Sequence, residues 1–371
     1  MVDRVLNVVL DGTPLLGRRT GVGRYTEHLM SALVARGDVR VSVLAITLRG
    51  GGELRSAVPP GVRTRSVRFS ARAMHIAWSR WNFPPISLLT RGLDVYHGTN
   101  FVLPPIGRLG GVVMIHDIAY LTMPDVVDEA SQRLRVLVPD ALRRAAVVVS
   151  PSQTTADRVR EAYPDITPEI VPTPLGVQPS WSQAAPPTAD DRRRLDLPDD
   201  YFLFVGTREP RKDLPTLVAA YRELRASAGP AVPTLLLVGP PGWGPELVGA
   251  PGVQVHDYAP AGDLETIVAG ARALVMPSRD EGFGLPALEA LAAGTPVIVS
   301  DIPALREVTG GHASAIFPVG DIGSLAAALA DVLGTPADDR ERRAKRREYA
   351  AGWTWARCAD HTVQAYRIAA G

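Results

Sequence analysis

Residues 278–300, SRDEGFGLPALEALAAGTPVIVS, leave the chain few ways to fold around them. Just ahead, Ala273-Leu274-Val275-Met276 is an apolar run of strand length, closed by Pro277. A second such run, Val297-Ile298-Val299, follows. Between them, Pro286 suits the first turn of a helix and Gly294 the position just past its end. Strand, loop, helix and strand in that order make a crossover between parallel strands of an α/β sheet. Glu281 then falls in the loop at the carboxyl end of the first strand, where open α/β sheets bind ligands. Gly282 and Gly284 let backbone N–H groups approach a ligand, and the helix start favours an anion. A carboxylate beside an anion site is electrostatically odd unless it serves a neutral, hydroxylated part of the same ligand. A nucleotide joined to a sugar has both parts.

Glu281, seven residues and then Glu289, within EGFGLPALEALAAGTPVI, resembles the paired-glutamate motif of the family 4 retaining glycosyltransferases. Two glutamates at one spacing are common, so the whole string carries the likeness. The resemblance implies a GT-B fold: α/β, two Rossmann-like domains with a cleft between, and a C-terminal helix crossing back to the first domain. Among such enzymes the pattern is most similar to bacterial mannosyltransferases that use GDP-mannose.

Two domains fit a chain of 371 residues, each large enough to bury its own core. A hydrophobic fraction of 46% with 21% charged residues belongs to globular proteins, and a net charge of +1 provides no overall drive toward nucleic acid. The single Cys358 excludes an internal disulfide and fits a reducing compartment. The apolar run from Val5 to Leu10 is too short for a signal peptide, and no run reaches membrane-spanning length. The expected location is cytoplasmic, with peripheral contact at the inner face of the membrane as an option.

In the first half, residues 6–10 read as a strand feeding the loop DGTPLLGRRTGVGRYTEHL, with a helix expected over residues 23–35. Gly21 and Gly23 place flexible backbone near the donor phosphates, but G-V-G-R-Y-T lacks the third glycine of a dinucleotide fingerprint. Residues 49–83 carry seven arginines, Arg65, Arg68 and Arg72 among them, against Glu53 as the only acid. Met74, Trp78 and Trp81 look exposed there, on a short helix over 74–81. Arginines pair with phosphates and tryptophans suit sugar faces and membrane interfaces, so this stretch is expected on the acceptor side. Strands end at His97 and at His116, both on the same edge of one sheet. HGTNFVLPP and VMIHDIAYLTMPD resemble family segments, which implies His116 beside the transferred sugar and His97 on the acceptor side. A helix spans 129–144, and proline and aspartate mark residues 178–200 as a linker.

In the second half, residues 201–205 form a strand leading to Gly206-Thr207-Arg208-Glu209-Pro210-Arg211-Lys212-Asp213. Adjacent cations ahead of a helix suit a diphosphate, Arg as a planar fork and Lys as a point charge. FVGTREPRKDLPTLV resembles the family's diphosphate segment, although Asp213 stands where Asn is common. An N-cap role for Asp213 survives that change. Tyr258 lies in a segment that the resemblance puts near the nucleobase.

The resemblance thus implies residues 1–180 on the acceptor side, 181–350 binding the nucleotide sugar, and 351–371 returning to the first domain, with Trp353 and Trp355 as packing anchors. Arg211, Lys212 and the backbone of Gly282, Phe283, Gly284 and Leu285 would hold the diphosphate, with Arg208 nearby. Glu281 would position the sugar and Glu289 the ribose. The acceptor would be a glycan or a lipid-linked molecule. No cofactor is expected, and no metal, since the chain has no Asp-x-Asp triplet. The alternatives are a catalytically silent nucleotide-sugar-binding homologue and a Rossmann oxidoreductase.

Overall fold

A computed structural model of the protein describes residues 4–17, 21–90, 92–244, 250–257, 259–334 and 339–371. Its chain contacts divide it into two units. One contains Met1–Leu121, Glu129–Gly176 and Thr354–Gly371; the other contains Thr122–Asp128 and Val177–Trp353.

The first unit is built on seven parallel strands. These are β1 (Leu6–Asp11), β2 (Val39–Ile46), β3 (Arg63–Val67), β4 (Val95–Gly98), β5 (Gly110–Met114), β6 (Val147–Ser150) and β7 (Glu169–Pro172). The order β3-β2-β1-β4-β5-β6-β7 reverses direction between β1 and β4. That reversal opens a crevice at the carboxyl ends of those two strands, because the loops there leave toward opposite faces. β1, β4, β5 and β6 are buried almost throughout, as parallel strands covered on both faces must be. The last helix, Trp355–Ala370, returns to this unit and packs on the helix Gly21–Val34 and on the sheet. Its seating depends on Gly176, where any Cβ would lie 2.1 Å from the backbone nitrogen of Trp355.

The second unit has six parallel strands in the order β10-β9-β8-β11-β12-β13. They are β8 (Tyr201–Val205), β9 (Thr234–Val238), β10 (Val253–His256), β11 (Ala273–Met276), β12 (Val297–Ser300) and β13 (Ala315–Phe317). Here the reversal falls between β8 and β11. The crossover expected from residues 278–300 forms as helix Leu285–Ala293 between the paired strands β11 and β12. Pro286 stands in its first turn, and Gly294 caps its end at φ 80°.

Several local expectations change. The helix expected over 129–144 is broken at Arg133 into Glu129–Gln132 and Leu134–Arg144. β7 and the helix Gly51–Ser56 carry no pattern strong enough to announce them. The stretch read as a linker folds onto the second unit. It holds the helices Ser180–Gln183 and Ala189–Leu195, the latter opened by a reciprocal capping box between Thr188 and Asp191. Trp181, 2% exposed, anchors it. A fully buried tryptophan contributes several kcal/mol of burial, which overrides the proline-rich composition. The two late tryptophans part at the unit boundary. Trp353 packs edge-on to Phe283 in the second unit, whereas Trp355 packs on Tyr25 and His28 in the first.

Candidate active site

At the β8/β11 reversal the loops after the two strands meet. Lys212 Nζ donates to Glu281 Oε1 at 2.6 Å, and Ser278 Oγ donates to the same oxygen at 2.7 Å. Arg211 reaches three groups: Nη1 donates to the Asp280 carbonyl (2.7 Å) and Glu281 Oε2 (3.2 Å), and Nη2 to Glu209 Oε1 (2.6 Å). The Arg211 carbonyl accepts from Arg279 N, which pins the two loops together. Glu281 is only 6% exposed. Burial alone would raise its pKa, but the adjacent Lys212 and Arg211 charges outweigh burial and bring it down to about 2. Glu281 is therefore a fixed carboxylate, and its two cations are paired with it and with Glu209.

These bonds distinguish the two cations. Arg211 spends its fork on protein acceptors, whereas an ammonium has three donors and Lys212 gives one to Glu281. Lys212 is thus the group with donor capacity left for a ligand, and Arg211 is the brace that holds Glu281, Glu209 and the Asp280 carbonyl in place. Sequence reading missed Glu209, Ser278 and Asp280. Asp280, 6% exposed, accepts from Thr122 Oγ1 at 3.1 Å, so the short segment Thr122–Asp128 is tied to this loop. The only sequence signal was their position beside residues already singled out.

Gly282, Phe283 and Gly284 are buried and run into the helix that begins at Leu285. Gly284 has φ 97°, and a Cβ there would meet Leu305 at 2.6 Å, so the turn excludes side chains. Glu289 lies on that helix at 3% exposure. Arg208 donates to the Gly239 carbonyl (2.8 Å) and to Asp257 (3.0 Å). Asp213 occupies the N-cap position of Leu214–Ala228, yet its side chain makes no capping bond. Its backbone is left-handed at φ 48°, a conformation that Asp, like Asn, tolerates. Tyr258 lies outside the described residues.

In the first unit, His116 stands two residues past β5, half-buried, between Tyr25 and Phe101. Its Nε2 donates to the Thr99 carbonyl at 2.9 Å, and burial lowers its pKa. The ring is then neutral near pH 7, with Nδ1 left as an acceptor for a hydroxyl. His97 corrects the sequence reading. It is fully buried, its Nδ1 shares a 2.7 Å hydrogen bond with the Tyr366 hydroxyl, and burial drives its pKa down to about 3. It joins β4 to the last helix and is not open to an acceptor. Gly21 and Gly23 form the first turn of the helix Gly21–Val34, two residues earlier than expected.

Arg65, Arg68 and Arg72 are exposed, and Arg65 donates to the Leu89 carbonyl. The aromatic expectation divides. Met74 and Trp78 turn inward from the helix Ala71–Trp81 into the core, one helical turn apart, while Trp81 is 66% exposed. Inward packing wins at 74 and 78 because their face of the helix meets the sheet.

Fold and site together define a two-unit α/β protein with an ionic cluster at the switch point of its second sheet. The family model described as Glycosyl transferase 4-like domain matches residues 20–176, and Glycosyl transferases group 1 matches residues 199–335. Among curated proteins, the chain is 30% identical to the O-antigen chain mannosyltransferase B of Escherichia coli, over 98% of this chain and 100% of that one. It is also 30% identical to the D-inositol 3-phosphate glycosyltransferase of Stackebrandtia nassauensis, over 90% of this chain and 74% of that one. The solved sucrose-phosphate synthase of Thermosynechococcus elongatus has the same fold at a TM-score of 0.73, with 22% identity over 98% of both chains. The chain belongs to the family 4, group 1 glycosyltransferases and has their GT-B fold. That membership displaces the oxidoreductase alternative. Among the described residues, no helix is long and apolar enough to cross a membrane.

Proposed function

We propose that the chain transfers a hexose, with retention, from a nucleotide-diphosphate sugar to a glycan or lipid-linked acceptor, with GDP-mannose as donor. The observation that carries this reading is the buried Glu281–Lys212–Arg211 cluster at the β8/β11 switch point. A leaving diphosphate gains negative charge, and Lys212 with the Gly282–Leu285 backbone is suited to stabilise it. Arg211 keeps Glu281 oriented to accept hydrogen bonds from the transferred sugar. Glu289 serves the ribose hydroxyls, and His116 offers Nδ1 to a sugar hydroxyl. The acceptor hydroxyl gives its proton to the departing phosphate, so the protein supplies position and charge rather than a base. The likeness to a protein named as a mannosyltransferase supports the choice of sugar.

The acceptor is assigned to the first unit, at a membrane surface. Support comes from Phe69, Ile76, Trp81, Phe83 and Leu88, each 46–66% exposed, interleaved with exposed Arg68, Arg72 and Arg80. Apolar side chains among arginines match the interface of an anionic bilayer. Activity is expected without a divalent metal. The test is a panel of nucleoside diphosphates scored for thermal stabilisation, followed by donor turnover with and without EDTA. Stabilisation by GDP above the others supports the donor; no stabilisation by any of them sinks the reading.

A further inference from the structure

The second sheet has another edge besides the one that carries Lys212 and Glu281. At the amino ends of its strands a cavity of about 810 Å³ opens, within the size range of small-molecule sites. Asp199 and Asp200 reach it just ahead of β8, Arg272 just ahead of β11 and Ser314 just ahead of β13. Arg192 comes from the helix Ala189–Leu195, and Arg342, Arg343 and Arg346 come from the helix Arg340–Ala351. The whole lining belongs to the second unit, and none of the donor-site residues is part of it.

The charges there do not balance. Arg272 pairs with Asp200, Nη2 donating to Oδ2 at 2.6 Å and Nε to Oδ1 at 3.3 Å, and Arg342 pairs with Asp339 at 3.1 Å. Asp331 has a partner of its own. Arg192 gives one bond to the Pro198 carbonyl, at 2.6 Å. Arg346 gives its Nε to the Gly294 carbonyl at 2.9 Å, and the adjacent Arg347 gives Nη2 to the Ala293 and Ala184 carbonyls, both at 3.1 Å. The bonds to Gly294 and Ala293 cap the carboxyl end of the helix Leu285–Ala293, which is the structural share of the cluster. They leave the Nη groups of Arg346 and the whole guanidinium of Arg343 without a partner among the described residues. Both side chains are half-buried and line the cavity. Against them stands only the exposed Asp199, which has no ion pair among those residues.

Crowding shows in the arginines themselves. Burial first, and then the Arg343 charge, bring the Arg346 pKa down to about 10, and the same two causes lower that of Arg347. A cation held among like charges gains most from an anion. Neighbouring guanidinium forks match the oxygens of a phosphate, whose dianion would offset Arg343 and Arg346 together. A phosphate alone would fill little of the space, since a water takes only about 30 Å³ of liquid volume. Asp199 and Ser314 offer partners to hydroxyls on whatever the phosphate carries.

We infer that this cavity is a binding site for a small phosphate monoester with a hydroxylated body, its phosphate on Arg343 and Arg346 and its hydroxyls toward Asp199 and Ser314. The site is independent of the donor cluster and of the proposed glycosyl transfer.

Phosphorus NMR titration of the full chain tests this, with glycerol 3-phosphate as probe and inorganic phosphate as rival. Wild type should bind glycerol 3-phosphate, and more tightly than inorganic phosphate. Arg343→Ser should lose about ten- to a hundredfold in affinity, the scale of a lost charged hydrogen bond. It should keep the fold, because that guanidinium bonds no protein group among the described residues, and GDP titrations should match wild type. Asp199→Asn removes a repelling charge at the surface, so inorganic phosphate should bind this variant more tightly than wild type. Excess GDP should leave glycerol 3-phosphate in place. No binding to wild type, affinity no greater than for inorganic phosphate, displacement by GDP, or affinities unmoved in both variants overturns the assignment. Failure of GDP to bind wild type would instead count against the proposed glycosyl transfer, whatever glycerol 3-phosphate does.

Discussion

Replacing Glu281 with Gln separates stability, binding and catalysis in one variant. The carboxylate titrates near 2 in the folded protein against an ordinary 4.5, which corresponds to about 3 kcal/mol of folding stability at pH 7. Its folded pKa is depressed, so that contribution is complete above about pH 4.5 and is lost as pH falls through 2. Glu281→Gln should therefore be less stable than wild type by about 3 kcal/mol at pH 7 and by only about 1.5 kcal/mol at pH 3. Urea unfolding at the two pH values reads this directly, using the transition that bound nucleotide shifts. Binding should move the other way. The two cations and two carboxylates of the cluster balance in wild type, and removing one carboxylate leaves Lys212 with a free charge. Like charges about 5 Å apart repel by on the order of 3 kcal/mol at an effective dielectric near 20. Free nucleoside diphosphate should accordingly bind the variant about a hundredfold tighter, while sugar transfer collapses. A variant as stable as wild type at pH 7, or one that binds nucleoside diphosphate more weakly, would refute the electrostatic account of the cluster.

Lys212→Ala should lower turnover on the order of 10²–10³ fold, and since Lys212 is the closer of the two cations on buried Glu281, it should cost stability as Arg211→Ala does, about 3–5 kcal/mol for breaking a buried pair; kinetics and denaturation check the two effects. Glu289→Ala should weaken nucleoside diphosphate binding by about 1–3 kcal/mol, and an unchanged titration would remove its assignment to the ribose. His97, held to about pKa 3 by burial, makes wild type lose roughly 2.5–3 kcal/mol between pH 7 and pH 4.5, because the unfolded chain takes up the proton first. His97→Gln should flatten that slope in acid-titrated melts. Changing Arg65, Arg68 and Arg72 together to Ser should weaken binding to anionic vesicles by about 1 kcal/mol per residue, an effect that added salt erases; equal vesicle binding in the variant would leave those arginines as plain surface.

What residues 273–300 encode, they encode locally. A strand-length apolar run, a proline at a helix start and a glycine just past its end each act through their immediate neighbours, so the crossover can be read without the rest of the chain. The same holds for the cations at 211 and 212, whose place after a strand already puts them at a sheet's carboxyl edge. Tertiary structure decided what depends on partners distant in sequence. Lys212 and Glu281 are 69 positions apart, and nothing local says that the second neutralises the first or that Arg211 is spent as a brace. His97 reads like His116 in the sequence, yet the last helix places Tyr366 against it and makes it structural. Trp78 and Trp81 sit three residues apart on one helix, and only the sheet beneath determines which is buried. Propensity and capping act over a few residues, whereas burial and charge pairing depend on distances that exist only after the chain has packed.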